Sequence, residues 1–332
     1  MTRASDFAGW RPKVLITAPL RGEGFDRLQQ MADVVYDPWI EQHPLRIYNS
    51  AQLAERITAE GADAVIVESD LVGPEVFATG VRFVAATRGD PNNVDVAAAK
   101  EASVPIVNTP GRNADAVAEM AVALLFAVGR RVIPADVDVR AGEVYRDGSI
   151  PYQRFRAWEL AGKTAGLVGL GAVGRATKWR FEGLGMKVVA YDPYTSDATH
   201  SLAELLEVSD IVSMHAPVTP ETTRMIGAEQ FAAMKEGAIY INTARAKLHD
   251  TDALAASLQS GHLSGAGLDH FEGEHLPTDH PLISMTNVVL TPHIGGATWD
   301  TEARQATIVA DELARLIAGE DLRQIINPEV LT

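Results

Sequence analysis

The sequence predicts the α/β class, with two doubly wound parallel-sheet domains, one inserted in the other. Short β-rich runs alternate with amphipathic helical stretches along the whole chain, the pattern of parallel strands joined by crossover helices. The 332 residues exceed what one compact core holds and fit two such domains. A long helical stretch follows the last predicted strand, so it must pack on something formed earlier in the chain.

Four strands and one helix are predicted before residue 110. The strands are KVLITA (13–18), DAVIVE (63–68), VRFVAAT (81–87) and PIVN (105–108). The stretch SAQLAERITAEG indicates a helix with Ser50 as its N-cap and Gly61 as its C-terminal stop. These elements already make a small α/β domain.

The second half predicts about six more strands. They are TAGLVG, KVVAYD, DIVSMHA, AIYINTA, LSGAGLD and NVVLTP. The helical stretch after them starts near Trp299, and its apolar residues recur at helical spacing: Ala306, Ile308, Val309, Leu313, Leu316 and Ile317. We expect this helix to cross back to the first domain. The expected boundaries are therefore 1–110 with 300–332 for the first domain and 111–299 for the inserted one.

Composition and charge exclude several classes of function. With 46% hydrophobic and 22% charged residues, the chain is an ordinary globular one. The net charge of -15 leaves no basic stripe, so neither nucleic acid nor an anionic membrane is expected as a partner. The longest apolar run, Val117 to Val128, is interrupted by Glu119 and is shorter than the roughly 20 residues that cross a bilayer. It predicts a helix buried between domains or subunits.

The chain contains no cysteine, which excludes disulfides and thiolate metal sites. Its first residues, MTRASDFAGWRPK, include no apolar region of the kind found in secretory signals. We therefore expect a cytoplasmic protein.

A glycine motif follows the first strand of the second half and opens a helix. Such a turn lets the backbone approach a pyrophosphate, whose charge meets the helix N-terminus. This strand–turn–helix context is the one that dinucleotide binding requires, and it predicts a Rossmann-like domain. The predicted cofactor site comprises Gly169, Gly171, Ala172, Val173 and Gly174.

An acidic residue ends the next strand. Asp192 lies 18 residues beyond Gly174, where a carboxylate can accept hydrogen bonds from the adenosine ribose hydroxyls. Pro193 and Tyr194 follow it, and a ribose 2'-phosphate would be repelled there. The sequence therefore favours NAD over NADP.

Three polar residues follow three of the predicted strands. Arg245 comes after AIYINTA, Glu274 after LSGAGLD and His293 after NVVLTP. Residues just past the carboxyl ends of parallel strands gather at one edge of the sheet, the edge that carries the glycine motif. Taken singly, each has a structural alternative: a surface arginine, a solvated loop charge and a capping histidine.

Together the three groups suit hydride transfer between NAD(H) and a 2-hydroxy or 2-oxo acid. A guanidinium binds a carboxylate through two parallel hydrogen bonds. A histidine moves a proton to or from the substrate oxygen near neutral pH, and a carboxylate on its far nitrogen sets the tautomer and stabilises the imidazolium. The cofactor supplies the hydride chemistry.

The segment DHFEGEHLPTDH suggests a metal site as an alternative. It contains Asp269, His270, Glu272, Glu274, His275, Asp279 and His280. However, His275 and His280 lack the spacing of zinc motifs, and Pro277 and Pro281 indicate a loop. The sequence therefore favours a site without metal.

Several blocks along nearly the whole chain resemble the D-isomer-specific 2-hydroxyacid dehydrogenases. This family includes D-lactate, glycerate, hydroxypyruvate and D-3-phosphoglycerate dehydrogenases. The blocks are NVDVAAAKEASVPIVNTPGRNADAVAE, ELAGKTAGLVGLGAVG, VVAYDPY, HAPVTPETTRMIG, INTARAKLHDTDAL, GLDHFEGEHLP and LTPHIGGAT. The resemblance implies Arg245, Glu274 and His293 as the catalytic set.

The resemblance also implies further contacts and an assembly. Asp269 would hold the nicotinamide amide, and the cofactor would be lined by His215, Ala216, Pro217, Thr222, Thr243, Ala244 and His293. Family members close two domains around the active-site cleft, with the nucleotide domain inserted in the substrate domain. They are commonly dimers through the nucleotide domain, so we expect a homodimer in which the 117–128 helix and the arm after it have a partner.

Three residues depart from the family pattern. Ala246 stands where a glycine usually follows the catalytic arginine, so its methyl is tolerated if φ there is negative. His270 replaces a small apolar residue, and His275 replaces a proline.

The predicted substrate loop, TRGDPNNVD, stands where the family has a glycine-rich loop. Its candidate substrate-binding residues, besides Arg245, are Arg88, Gly89 and Asp90. Asp90 would repel an anion unless it points away. Arg88 either adds a second positive contact, which favours a phosphorylated or polyhydroxylated acid, or pairs with Asp90.

The predicted function is that of an NAD-dependent oxidoreductase acting on a D-2-hydroxy acid. One alternative is a short-type D-3-phosphoglycerate dehydrogenase, since the chain ends at 332 with no room for a C-terminal regulatory domain. A rival from another class is an NAD-sensing corepressor-like binding protein, against which the intact Arg, Glu and His argue. Formate dehydrogenase relatives resemble this chain with an amide in place of Glu274, so they are less favoured.

Overall fold

The computed structural model describes residues 3–331. The strands are β1 (Lys13–Ile16), β2 (Asp33–Tyr36), β3 (Ala64–Val67), β4 (Phe83–Ala86), β5 (Ile106–Asn108), β6 (Thr164–Val168), β7 (Lys187–Tyr191), β8 (Ile211–Met214), β9 (Ile239–Asn242), β10 (Gly265–Leu268) and β11 (Val288–Leu290). The helices are α1 (Gly22–Met31), α2 (Ser50–Glu60), α3 (Pro74–Ala78), α4 (Val96–Glu101), α5 (Ala114–Gly129), α6 (Val132–Arg140), α7 (Pro151–Arg154), α8 (Ala172–Gly183), α9 (Leu202–Val208), α10 (Ala228–Ala233), α11 (Thr251–Gln259), α12 (Pro281–Ser284) and α13 (Trp299–Ala318). Short 3-10 helices cover Ala4–Phe7, Trp39–Glu41, Ala246–Leu248, Glu272–Glu274 and Pro328–Leu331.

The strands form two sheets in which all paired strands are parallel, which confirms the predicted fold class. The first sheet has the order β2-β1-β3-β4-β5, and the second has the order β11-β10-β9-β8-β6-β7. In the second sheet the winding reverses beside β6, because β7 lies on one side of it and β8 on the other. Ligands of doubly wound sheets bind at such a reversal.

The chain divides into two compact units. Unit 1 runs up to Arg112 and resumes at Thr298, and unit 2 runs from Asn113 to Ala297. The sequence predicted that the first domain ends at residue 110 and resumes at residue 300, which is two residues from the observed boundary in each case. Among residues 3–331, no helix is both long enough and apolar enough to span a bilayer.

Helix α13 is part of unit 1. It begins after Thr298, whose side chain accepts a hydrogen bond from the Thr301 amide, and it ends at Gly319 in the left-handed conformation. Val309 and Leu313, which lie on its apolar face, are buried in the same core cluster as Val14 and Ile16 of β1. The chain after the helix then forms backbone hydrogen bonds with β5.

Two local predictions in unit 1 are wrong. The N-cap of α2 is Asn49 and not Ser50: the Asn49 side chain accepts from the Gln52 amide, and the Gln52 side chain accepts from the Asn49 amide. Gly61 ends the helix in the left-handed conformation, as predicted. Strand β2 was not predicted, since it is a four-residue edge strand without buried residues.

The apolar helix α5 was predicted to lie buried between domains or subunits. It packs against the sheet of its own unit, and a contact with a second subunit stays a prediction. Leu124, Leu125 and Val128 share a core cluster with Leu167 of β6 and Ile241 of β9. The apolar run is therefore explained within unit 2.

Candidate active site

The glycine motif forms the turn between β6 and α8, beside the reversal of the second sheet. Gly169 has a φ of 98°, and a Cβ there would lie 2.6 Å from the Ala216 amide nitrogen. A Cβ on Gly174 would overlap the Gly169 carbonyl. Gly171 is the N-cap of α8, without a side-chain cap, and its missing Cβ points into open space. Since helix N-termini bind phosphates, this turn fits a dinucleotide pyrophosphate.

Asp192 follows β7 and is held beside the glycine turn. One carboxylate oxygen accepts a hydrogen bond of 2.8 Å from the Leu170 amide, and the other accepts one of 2.9 Å from the Tyr194 amide. These bonds fix the carboxylate next to the turn, where a ribose of the dinucleotide would lie.

The loop after β8 lies against the same turn. His215 is bonded through Nε2 to the Ser213 hydroxyl at 2.9 Å, and its backbone contacts the position where Gly169 lacks a side chain. Burial lowers the pKa of His215 to about 3, so this imidazole is neutral. Further along, the Thr222 hydroxyl donates to the Pro217 carbonyl at 2.7 Å and closes the loop.

Arg245 follows β9 on a loop that Asn242 anchors. The Asn242 side chain donates to the Arg245 carbonyl at 2.9 Å, accepts from the Ala244 amide at 2.9 Å and lies 2.9 Å from Nδ1 of His249. Thr243 lies buried between β9 and Ala244. Asn242 was not predicted from the sequence, although an amide at the end of an apolar strand is the available signal.

The methyl group of Ala246 is accommodated. Ala246 begins a 3-10 helix, and its φ is not positive. Its backbone therefore needs no glycine, and its departure from the family pattern causes no strain.

His293 and Glu274 form a hydrogen-bonded pair, named here the His293–Glu274 pair. Nδ1 of His293 lies 2.8 Å from Oε1 of Glu274, and the two side chains are 41% and 59% exposed. Both residues have a φ of 56°, in the left-handed region that residues other than glycine rarely adopt. The two short turns that carry them therefore hold an unusual backbone conformation at the place where the side chains meet.

Comparison with known proteins agrees with this geometry. The NAD binding domain of the D-isomer specific 2-hydroxyacid dehydrogenases matches residues 122–295, which lie within unit 2. The chain is 35% identical to the glyoxylate reductase of Korarchaeum cryptofilum, over 97% of each chain. The chain belongs to the D-isomer specific 2-hydroxyacid dehydrogenase family. This dehydrogenase is thus an NAD-dependent oxidoreductase with an NAD(H) cofactor.

Two further similarities extend along the dehydrogenase. It is 32% identical to the D-3-phosphoglycerate dehydrogenase of Methanocaldococcus jannaschii, over 95% of this chain and 59% of that one. It also resembles the crystal structure of the TT0316 protein from Thermus thermophilus, with a TM-score of 0.80 and 36% identity over 95% of this chain and 99% of that one.

Asp269 of the dehydrogenase holds the loop that carries His293. Its buried carboxylate accepts from the Thr291 hydroxyl at 2.6 Å, the Ile294 amide at 2.9 Å and the Gly295 amide at 2.7 Å. Asp269 therefore fixes the backbone on both sides of His293. Its contact with the nicotinamide amide stays a prediction.

His270 lies against the catalytic candidates. Its ring centroid is 3.7 Å from that of His293, with the ring planes inclined by 53°. Burial above all, together with the nearby His293 and Arg245, lowers the pKa of His270 to about 3. The structure thus brings Arg245, His270, Glu274 and His293 to one rim of the dehydrogenase, the loops at the carboxyl ends of β9, β10 and β11.

The side chains that could together bind a metal ion are not those of the DHFEGEHLPTDH segment alone. Ligand atoms of His270, Glu274 and His293 all lie within 4.8 Å of one another. Among the residues that the structure describes, His275 and His280 do not join this group.

The predicted substrate loop lies in unit 1, after β4. The Gly89 carbonyl accepts from the Asn108 side chain at 2.7 Å, and the Arg88 carbonyl accepts from the Thr109 amide at 2.9 Å. Within residues 3–331, no ion pair joins Arg88 to Asp90. The role of this loop in substrate binding stays a prediction.

Proposed function

We propose that this dehydrogenase interconverts a D-2-hydroxy acid and its 2-oxo acid, with His293 as the general acid/base. The observation that carries this proposal is the 2.8 Å contact between Nδ1 of His293 and Glu274. That contact leaves Nε2 of His293 as the atom for the substrate. The position of Arg245 on the same rim supports the proposal, since its charge acts on His270, which touches His293.

Each residue has a distinct task in the proposed reaction. Bound NAD(H) supplies the hydride in reduction and accepts it in oxidation. The Arg245 guanidinium binds the substrate carboxylate and so orients the 2-carbon. His293 donates a proton from Nε2 to the 2-oxo oxygen in reduction and removes it in oxidation. Glu274 accepts a hydrogen bond from Nδ1–H, which fixes the tautomer and stabilises the imidazolium.

We infer that the substrate is small or polar at its 2-carbon side chain, and that Arg88, Gly89 and Asp90 take part in choosing it. The glyoxylate reductase and D-3-phosphoglycerate dehydrogenase among the relatives support testing an unsubstituted and a phosphorylated acid. The cytoplasmic location stays a prediction.

The test is NADH oxidation against 2-oxo acids of graded size, hydroxylation and phosphorylation. With the preferred acid, His293→Ala should lower kcat by about 10²–10⁴-fold, because it removes general acid catalysis. NADH binding, followed by its fluorescence, should not change. His275→Ala, in the exposed loop next to Glu274, is the matched control and should keep its activity.

Two outcomes would contradict the proposal. Full turnover by His293→Ala would remove the acid/base assignment. NADH binding by the wild type without turnover of any acid would favour an NAD-sensing binding protein.

We also propose that unit 2 forms a homodimer through the exposed side of α6. Four apolar side chains on this helix are 49–64% exposed: Val132, Ile133, Val137 and Val139. A cluster of this kind marks a contact surface. The buried Asp138 of the same helix pairs with Arg154 at 2.9 Å, which holds the helix in place beneath the exposed side chains.

The dimer is tested by light scattering after size exclusion. The double variant Val137→Asp, Val139→Asp should have the mass of a monomer, because two charges would be buried without partners. Val208→Asp, at an exposed apolar position of α9, is the control and should keep the dimer mass. An unchanged mass for the double variant would place the contact elsewhere.

A further inference from the structure

Three side chains with metal-binding atoms meet at the rim of unit 2. His270, Glu274 and His293 offer ligand atoms that all lie within 4.8 Å of one another. Imidazole nitrogens together with a carboxylate suit zinc, cobalt, nickel and copper. Three protein ligands with a fourth position open to water is the usual arrangement of zinc sites that exchange ligands.

We propose that His270, Glu274 and His293 bind one divalent transition-metal ion of the zinc type, and that the bound ion inhibits the dehydrogenase. The inhibition rests on the proposed function, whereas the binding does not. His270 completes the set, since Glu274 and His293 alone would offer an ion only two protein ligands.

The geometry requires only small movements of side chains. Two atoms bound to one tetrahedral zinc ion lie about 3.4 Å apart, because each bond is about 2.0–2.2 Å long. Nδ1 of His293 and Oε1 of Glu274 are 2.8 Å apart, which is close to that separation. These two side chains are 41% and 59% exposed, so solvent and not packed protein occupies part of the space into which they would turn.

The charges at the rim determine how tightly an ion binds. Glu274 contributes a negative charge, and the chain has no cysteine whose thiolate would compete for the ion. The positive charge of Arg245 reaches His270 and opposes a cation. We therefore expect a reversible site that is weaker than a closed structural zinc site.

An ion in this position would replace the hydrogen bond between His293 and Glu274. A metal bound to the Nδ1 lone pair leaves the single proton of the neutral imidazole on Nε2, so Nε2 has no lone pair to accept another. His293 then does not accept a proton from a 2-hydroxy acid. The enzyme would be inhibited in proportion to the occupancy of the ion.

The test is a titration of tag-free, chelator-treated protein with Co(II), followed by its visible ligand-field absorption, and with Zn(II), followed by calorimetry. The wild type should bind one ion per chain. His270→Val should weaken binding by about tenfold or more, because one of three ligands is lost. His275→Ala removes a histidine outside the group and should bind like the wild type. Glu274→Gln is a second test variant at an exposed position, so its folding is not in question.

Inhibition is measured separately, as the reduction of NAD by the 2-hydroxy acid in the presence of Zn(II). The concentration for half inhibition should equal the calorimetric Kd in the wild type and rise by about tenfold or more in His270→Val. The proposal is overturned if the wild type binds no Co(II), or if both His270→Val and Glu274→Gln bind as tightly as the wild type. Since the titration needs no turnover, a protein that binds Co(II) but reduces no acid would contradict the proposed function alone.

Discussion

Asn242 holds the backbone of the loop that carries Arg245. Its single amide group bonds to the backbone on both sides of Ala244, at the Ala244 amide and the Arg245 carbonyl. It is also bonded to His249, which is 2% exposed, so the amide has no freedom to rotate. Asn242 is thus a positioning residue for Arg245.

We expect Asn242→Ala to raise KM for the 2-oxo acid more than it lowers kcat. The loop would lose two hydrogen bonds, and displacing a binding group by about 1 Å can cost on the order of 10²-fold in efficiency. Steady-state kinetics against the 2-oxo acid, with NADH saturating, measures this split.

Asn287→Ala is the control for that experiment. Asn287 also donates from its side chain to a backbone carbonyl of unit 2, that of Ser264, but it lies before β11 and away from the rim. A loss of stability without a change in KM in Asn242→Ala would show that Asn242 serves the fold alone.

For single residues, the sequence predicts which side chains lie at the carboxyl ends of β9, β10 and β11. It does not predict which of their atoms are in contact. Arg245, Glu274 and His293 were found because strand ends of a parallel sheet converge. The contact between His270 and His293 depends on two side-chain rotamers and on the left-handed turn at His293, which residue spacing does not encode. Asn242 was missed because its partners, two backbone groups and His249, are brought to it only by the folding of the loop.

At the scale of elements, α1 and α13 approach each other so closely that their backbones touch. A Cβ on Gly24 of α1 would overlap the backbone of Ala306 and would lie 2.6 Å from the Cα of Thr307, both in α13. The chain thus brings its last long helix onto its first one at a glycine.

Gly24→Ala should lower the free energy of unfolding of unit 1 by about 1–3 kcal/mol, because the two helices must move apart. Gly183→Ala makes the same change at the end of α8, where a Cβ meets nothing within 4 Å. That control should be neutral or stabilising, by up to about 1 kcal/mol. Urea unfolding of both variants measures the difference, and equal midpoints would refute the close packing.

Periodicity predicts long elements better than their ends. The apolar spacing of α13 and the six strands of unit 2 were read correctly from the sequence. Asn49 and Ser50 are both good N-cap residues, and the choice depends on which side chain reaches the Gln52 amide. Strand β2 pairs only with β1 and lacks the buried run that marks the central strands.

At the scale of the molecule, unit 2 holds three neutral histidines, of which His249 and His270 are buried and His215 is half-buried. Burial lowers the pKa of His215 and His270 to about 3 and that of His249 to about 4. In the unfolded chain a histidine titrates at about 6.5. The folded state therefore binds fewer protons than the unfolded state between these values, so its stability is fully present above about pH 6.5 and is lost as the pH falls.

We expect the free energy of unfolding to fall by about 1.4 kcal/mol per pH unit for each such histidine between about pH 6 and about pH 4. His249→Gln should reduce this slope by about 1.4 kcal/mol per pH unit, the contribution of one histidine. This holds whatever the substitution does to the free energy of unfolding at neutral pH. Urea unfolding at a series of pH values measures the slope. His275→Gln, at an exposed position, should keep the wild-type slope, and a slope unaltered in His249→Gln would show that His249 is protonated in the folded protein.

The backbone at Glu274 and His293 has a consequence for engineering. A left-handed residue other than glycine costs on the order of 1 kcal/mol or more, and glycine would remove that cost at both positions. Selection for heat resistance alone would thus favour glycine at either position, and each such change would remove one side chain of the His293–Glu274 pair. Thermal stability and the proton transfer that we propose therefore make opposite demands on these two turns.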